Sequence, residues 1–190
     1  MLDPAGAVIG LRTPRGGVIP AGGSVLAGTG DAADWLTVHA TPGSRIVVGT
    51  EVFADGSPIS PAGLGVVNGG PRLVRDGALD ITAAAEGFHW EERPEFYYRF
   101  GVRRNPRTLA GTTADGRLLL VTIDGRRPGH SVGASFHESA LVMRALGAVD
   151  AVNLDGGGST AMTVGSELVT RPSDATGERP IGDAIVISAG

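Results

Sequence analysis

Glycine accounts for 31 of the 190 residues, and its distribution limits the folds open to this chain. It recurs in adjacent pairs such as Gly16-Gly17, Gly22-Gly23 and Gly69-Gly70. Because glycine adopts the backbone conformations that tight turns require, this pattern favours many short strands over long helices. A chain of this length can build one sizeable core. We therefore predict a single α+β domain over 1–190, with a mixed, strand-rich sheet and one main helix.

Charge and residue usage exclude several classes of function. The net charge of -4 argues against a nucleic-acid partner. All 16 basic residues are arginine, so any anion held by a basic side chain other than histidine must be held by arginine. The absence of cysteine excludes disulfides and thiolate metal sites. His130 and His137 have no companion cluster of ligands, so we propose no zinc site. We assign no metal ligands and no cofactor, and the sequence leaves a structural calcium undecided. We also see no signal peptide or membrane span, and predict no membrane insertion.

The N-terminal third is predicted to consist of short strands. Trp35 to Val38 could form a strand or a short helix, and the sequence leaves both open. The aromatic-rich segment 80–105 is predicted to be a long irregular excursion that packs on the core or lines the mouth of a site, and core packing of its rings is favoured over a sugar-binding platform. The expected strands of the first fifty residues are 7–11, 18–20, 24–27 and 45–48.

Two Asp-Gly dipeptides predict hairpins. Asp76-Gly77 follows Leu73-Val74 and is typical of a type I′ turn. Asp115-Gly116 separates 108–112 from 117–123, so these segments should pair. The second of them is almost continuously apolar, which predicts a strand buried on both faces.

A capping box marks the start of the main helix. Ser135 and Glu138 have the spacing at which each side chain satisfies the other's backbone N–H. The helix should run over 135–146 and end at Gly147. We expect it to bury Phe136, Ala140, Met143 and Leu146, and to be followed by a strand at 151–154.

This strand–helix–strand order brings two carboxylates together. If strands 117–123 and 151–154 are parallel, they end at the same edge of the sheet. Asp124 and Asp155 each follow one of these ends. Strand spacing then allows the carboxyl separations of about 5 to 9.5 Å that glycosidases use. The Asp-Gly motif alone would favour an Asx-turn role for Asp124, whereas the neighbouring Arg126 favours a functional one.

Three glycines and a serine follow Asp155. Consecutive glycines let backbone N–H groups converge on an anion, with Arg126 or Arg107 as the side-chain partner. Lysine is absent, so this is no P-loop. Ser159 lacks the setting of a hydrolase nucleophile. An anionic ligand without a nucleotide site suggests a phosphodiester or an acidic sugar.

Several motifs in order resemble the phosphodiester glycosidase family, which includes the mannose-6-phosphate uncovering enzyme. The strongest is Asn153-Leu154-Asp155-Gly156-Gly157-Gly158-Ser159, preceded by 146–151. The resemblance covers most of the chain and is strongest from Arg107 to Pro180. The other matching segments are Asn68-Gly69-Gly70-Pro71-Arg72-Leu73-Val74 with Asp76-Gly77, Asn105-Pro106-Arg107-Thr108, Asp124-Gly125-Arg126, Glu138-Ser139-Ala140 and Glu178-Arg179-Pro180.

The resemblance implies hydrolysis of a sugar-1-phosphodiester, such as a GlcNAc-1-phosphodiester, on a cell-surface glycan or polymer. Asp155, Asp124 and Glu138 are the catalytic candidates, although Glu138 could serve only as a helix cap. Asn153 could satisfy backbone or a sugar hydroxyl. The candidate substrate-binding residues are Asn68, Gly69, Gly70, Arg107, Thr108, Arg126, Asn153, Gly156, Gly157, Gly158, Ser159 and Arg179.

The sequence departs from the family pattern at its N-terminal side. The Asn-Gly-Phe-Phe-like segment that the family usually carries upstream is not found, so we expect a domain that is N-terminally truncated relative to the family. This feature favours an alternative function, a non-catalytic module that binds phosphorylated or anionic glycans. The resemblance implies an extracellular or cell-envelope location. The oligomeric state stays open, with a homo-oligomer among the alternatives.

Overall fold

The computed structural model describes residues 1–13, 16–54, 56–60, 62 and 65–188. The chain divides into two compact units, Met1–Gly65 and Val66–Gly190. No helix within the described ranges has the length and apolar character needed to cross a membrane.

The first unit is built around a small core of Leu2, Val8 and Ala40. Trp35 to Val38 belongs to a helix, α1 (Asp31–His39), which resolves the alternative left open by the sequence. β1 (Val52–Ala54) and β2 (Ser57–Ile59) form an antiparallel pair. The four strands predicted in the first fifty residues are wrong as regular strands. Three of these short segments pair, and they pair only through isolated β-bridges. The bridges are Leu2–Val8, Leu2–Ser24 and Ala7–Arg45.

The second unit contains the main sheet and the main helix. Its helical elements are α2 (Glu95–Tyr97), a π-helical turn (Tyr98–Val102), α3 (Phe136–Ala145) and a 3₁₀ turn (Gly157–Ser159). Its strands are β3 (Arg72–Arg75), β4 (Ala78–Leu79), β5 (Arg107–Thr113), β6 (Leu118–Ile123), β7 (Ala148–Asn153), β8 (Thr163–Val164) and β9 (Glu167–Leu168). The predicted α+β class with one main helix is confirmed.

Both predicted hairpins form. Asp76 and Gly77 have φ values of 49° and 74°, as a type I′ turn between β3 and β4 requires. β5 and β6 pair in register across the second Asp-Gly turn, with Leu109 opposite Val121.

The sheet has the order β4-β3-β7-β5-β6. We expected a mixed sheet, yet each hydrogen-bonded pair within it is antiparallel. The parallel relation lies between β6 and β7, which flank β5 and run in the same direction. β5 separates them because the Asp-Gly turn pairs it directly with β6. The prediction that β6 is buried on both faces is wrong, because it is an edge strand with Leu118 54% exposed.

Helix α3 starts as predicted. Ser135 and Glu138 form both halves of the capping box, and Gly147 follows the helix with a φ of 90°. Phe136, Ala140 and Met143 are buried in the core. Leu146 is 51% exposed, so its predicted burial is wrong. It lies beyond the last full turn, where the chain already leaves the helix.

The aromatic segment packs in the core only in part, because Trp90, Phe96 and Tyr98 are 49%, 37% and 58% exposed. Phe88, Tyr97 and Phe100 contact the buried cluster of the second unit. Phe88 and Phe100 meet the ring of Phe136 edge-on, at centroid distances of 5.5 and 5.7 Å. The segment is less irregular than expected, because α2 and the π-helical turn lie within it.

Candidate active site

The ends of β6 and β7 place Asp124 and Asp155 at one edge of the sheet. Ile123 pairs with Arg107 of β5, and the N–H of Leu154 donates to the carbonyl of Thr108 at 2.8 Å. The two aspartates therefore follow strands that lie on opposite sides of β5, about 10 Å apart. This is a distance between strand backbones, and the carboxyl groups of glycosidases that activate a water are about 6.5 to 9.5 Å apart.

Asp124 is held on both carboxylate oxygens. The backbone N–H of Arg171 donates to Oδ1 at 3.0 Å, and Nε2 of His130 lies 2.8 Å from Oδ2. Burial raises the pKa of Asp124, but these contacts outweigh it and hold the pKa below its ordinary value. The group is therefore an ionised carboxylate of fixed orientation.

Asp155 is held far more loosely. It is exposed, and its Oδ1 accepts a hydrogen bond from the N–H of Gly156 at 2.9 Å. Together with Thr108 and Ser159 it lines a cavity of about 530 Å³ whose remaining walls are largely apolar. Glu178 and Asp183, which are also exposed, line the same cavity, so Asp155 is one of three carboxylates that a ligand there can reach.

Two guanidinium groups lie against the glycine loop. The guanidinium of Arg126 is so close to Gly157 that a Cβ there would lie 3.2 Å from Nη2. The guanidinium of Arg179 packs directly on Gly158, and a Cβ at that position would overlap it. Arg126 also donates to Oδ1 of Asn105 at 2.9 Å, while Arg179 donates to Asp174 at 2.7 Å. Glycine is needed here because the loop and the two cations occupy adjoining space.

Arg107 has a different position from the one expected. It is completely buried, and its guanidinium donates to the carbonyls of Ala134 and Phe100 at 2.8 and 2.5 Å. It also lies 4.5 Å from the ring centre of Phe136. Burial, and to a smaller extent the charge of Arg126, lowers the pKa of Arg107 to about 10. Arg107 is therefore a buried residue that binds backbone carbonyl groups next to the site.

The amide nitrogen of Asn153 satisfies backbone groups, whereas its buried Oδ1 has no hydrogen-bond partner among the described residues. Its Nδ2 donates to the carbonyls of Gly70 and Leu154 at 2.8 and 2.7 Å. This ties the end of β7 to the glycine-rich segment, where Gly69 lies against Leu154. Asn68 is exposed.

Glu138 is occupied by structural contacts. Its carboxylate accepts from Nε of Arg104 at 2.9 Å and from the backbone N–H of Ser135 at 2.9 Å. The hydrogen bond from Arg104, followed by that from Ser135, lowers the pKa of Glu138 to about 2. We therefore treat Glu138 as a helix cap and leave it out of the proposed reaction.

Substitution of Glu138 by glutamine is expected to reduce the free energy of unfolding by about 0.5–1 kcal/mol at pH 7, since the ion pair is partly exposed. The folded pKa lies below the unfolded value, so the stabilisation is present above about pH 4.3 and is lost towards pH 2. Urea unfolding of both proteins at pH 7 and pH 3 checks this, with the exposed Glu167→Gln as a control. A difference that grows on acidification would contradict it.

The comparison with known proteins decides the family. The family described as phosphodiester glycosidase matches residues 4–188, nearly the whole chain. The chain belongs to this phosphodiester glycosidase family.

Three similar proteins illustrate how much of this chain is shared with known proteins. N-acetylglucosamine-1-phosphodiester alpha-N-acetylglucosaminidase of Bos taurus is 34% identical over 104 residues, covering 54% of this chain and 19% of the relative. The Mus musculus enzyme of the same name is 29% identical over 119 residues, covering 62% and 22%. A solved structure from Burkholderia pseudomallei K96243, whose name describes an exported protein, shares 45% identity with a TM-score of 0.74, covering 95% and 36%. The chain thus spans less than half of each relative.

The sequence did not identify three residues that contact the candidate site residues. His130 and Arg171 contact Asp124, and Asp174 pairs with Arg179. A weak signal existed for His130, because Pro128-Gly129 predicts a turn that returns the chain towards Asp124. Arg171 is 47 positions from Asp124, and nothing local in the sequence reveals their contact.

Proposed function

We propose that the chain hydrolyses the glycosidic bond of a sugar-1-phosphodiester. The observation that carries this proposal is the position of Arg126 and Arg179 over Gly157 and Gly158, beside the exposed Asp155. Planar guanidinium groups bind phosphate oxygens well. The names of the two mammalian relatives support N-acetylglucosamine as the sugar.

The charge balance around the site favours an anionic ligand. Among the described residues, no carboxylate forms an ion pair with Arg107 or Arg126. The buried Nη1 of Arg107 has no hydrogen-bond partner there. A buried cation without a counter-charge is unfavourable, and its field reaches the neighbouring Arg126. A phosphodiester bound beside the glycine loop would compensate this charge.

The reaction follows from these positions. The bond between C1 of the sugar and the phosphate oxygen breaks, and its electron pair stays with the phosphate, facing Arg126 and Arg179. The ionised Asp124 stabilises the positive charge that develops on the sugar. Water adds to C1 and gives a proton to Asp155. The products are the free sugar and a phosphomonoester.

The test uses the methyl diester of N-acetylglucosamine 1-phosphate. We expect release of N-acetylglucosamine and methyl phosphate in equal amounts. Methyl phosphate is measured by ³¹P NMR, and the free sugar is measured separately. Binding measured by calorimetry without any release would contradict the proposal and support the glycan-binding module instead.

Substitution of Gly158 by alanine is expected to raise KM by about 10- to 100-fold. The new Cβ displaces the Arg179 guanidinium, and a hydrogen bond to a charged group contributes about 1.5–3 kcal/mol. Stability should change little, because the group that must move is the end of a flexible side chain. Steady-state kinetics check this, with Gly49→Ala as the control, because Gly49 has open space around it and no positive φ. An unchanged KM for Gly158→Ala would contradict the proposal that Arg179 binds the substrate.

We further propose an extracellular location. The support is the 45% identity to the Burkholderia protein whose name describes it as exported. Fractionation of a native host, with the activity found outside the cytoplasm, is the expected result, and activity confined to the cytoplasm would contradict it.

A further inference from the structure

Asp124 lies in a cluster of contacts that the proposed reaction leaves unexplained. The cluster contains His130, whose Nε2 faces Oδ2 of Asp124 at 2.8 Å. It also contains Arg171, whose backbone N–H binds Oδ1 at 3.0 Å and whose Nη1 lies 3.4 Å from Nδ1 of His130. An aspartate that merely closes a strand needs only a local turn contact. Asp124, by contrast, is contacted by residues from two separate segments.

Arg171 determines which ring nitrogen of a neutral His130 carries the hydrogen. A guanidinium group can only donate hydrogen bonds, so Nδ1 of His130 must be the acceptor in that contact. In a neutral imidazole the hydrogen is then on Nε2, which donates to Asp124. Arg171 therefore selects the tautomer that supports the carboxylate.

The surrounding backbone fixes His130 in place. Its N–H donates to the carbonyl of Arg127 at 3.0 Å, closing a turn in which Gly129 has a φ of 82°. The guanidinium of Arg127 donates to the carbonyl of Pro172 at 2.6 Å. The turn at 127–130 and the segment at 171–172 are thereby joined, so the two contacts to Asp124 come from segments that are hydrogen-bonded to each other.

We propose that His130, with its tautomer set by Arg171, is a positioning residue that orients Asp124 towards the reacting sugar. This role rests on the proposed glycosidase reaction, in which Asp124 stabilises charge on the sugar. With one lone pair on each oxygen engaged by His130 and Arg171, the remaining lone pairs keep a fixed direction. A carboxylate free to rotate would need to be reoriented in each turnover, and such misplacement costs rate more than binding.

Kinetics separate this role from simple structural support. His130→Ala should lower kcat by about 10- to 100-fold with KM changed less than about threefold. His130→Gln, whose side-chain amide can donate from a position near Nε2, should recover most of kcat. His137→Ala is the matched control, since His137 is exposed on α3. Wild-type kcat in His130→Ala would overturn the role, and so would equal losses in the alanine and glutamine variants.

A second measurement is independent of turnover. ¹⁵N NMR of the histidine rings, with His130 assigned among the four histidines by His130→Gln, should show the hydrogen on Nε2. A ring with the hydrogen on Nδ1 would overturn the inference even in an active protein. An inactive wild-type chain would overturn the reaction and this role together, whereas an active chain with unaffected His130→Ala would overturn this role alone.

Discussion

Replacement of Asp155 by asparagine is expected to reduce turnover of a sugar-1-phosphodiester by on the order of 10³-fold. Asp155 is an exposed carboxylate that lines the cavity at the end of β7, and it accepts a hydrogen bond from the backbone N–H of Gly156. The amide oxygen of asparagine can accept the same bond, so the loop should keep its conformation. The amide cannot take a proton from water, so only the chemical step is removed.

The control for this experiment is Asp150→Asn. Asp150 is also exposed and lies on the same strand, β7, but it pairs with Thr112, away from the end where the site lies. Its replacement should leave kcat within about twofold. Wild-type turnover in Asp155→Asn would show that another group accepts the proton. A large fall in melting temperature would show that the loop depends on the charge.

Replacement of Phe136 by alanine is expected to reduce the free energy of unfolding by about 3–5 kcal/mol. The ring is 2% exposed and meets Phe88 and Phe100 edge-on. Its face also lies against the guanidinium of Arg107. The substitution therefore opens a cavity and removes the aromatic face beside a buried cation. Denaturant unfolding measures the effect.

Phe96→Ala is the matched control for Phe136→Ala. Phe96 stacks on Phe100 at 5.7 Å between ring centres but is 37% exposed. Phe96→Ala should reduce the free energy of unfolding by well under half as much as Phe136→Ala, because it leaves only a small buried cavity. Equal losses for the two variants would indicate that Phe136 has no special place in the core, and would contradict its role beneath Arg107.

Local signals in the sequence were sufficient for much of the fold. The type I′ turn at Asp76-Gly77 and the capping box of Ser135 and Glu138 each depend on residues within four positions of one another. The direction of β6 and β7 followed from the helix that joins them. The edge position of β6 was missed, since strand order depends on partners far away in the sequence.

The site was less predictable, because burial and partners are tertiary properties. Arg107 was expected to face a ligand, yet it turns inwards to a carbonyl group left open by the π-helical turn, that of Phe100. Asn105 fulfils a related role, with Nδ2 donating to the carbonyl of Arg99 at 2.9 Å. Nothing in the pattern around Arg107 shows that a helical turn ends beside it.

The most direct test of the glycosidase assignment is to find which bond to the bridging oxygen breaks. The methyl diester of N-acetylglucosamine 1-phosphate is hydrolysed by the wild-type chain in ¹⁸O-enriched water, and the phosphate product is analysed by ³¹P NMR for the isotope shift. Cleavage between C1 and oxygen, as predicted here, gives methyl phosphate that contains no ¹⁸O. Incorporation of ¹⁸O into the phosphate product would show attack at phosphorus, and would contradict a glycosidase in favour of a phosphodiesterase.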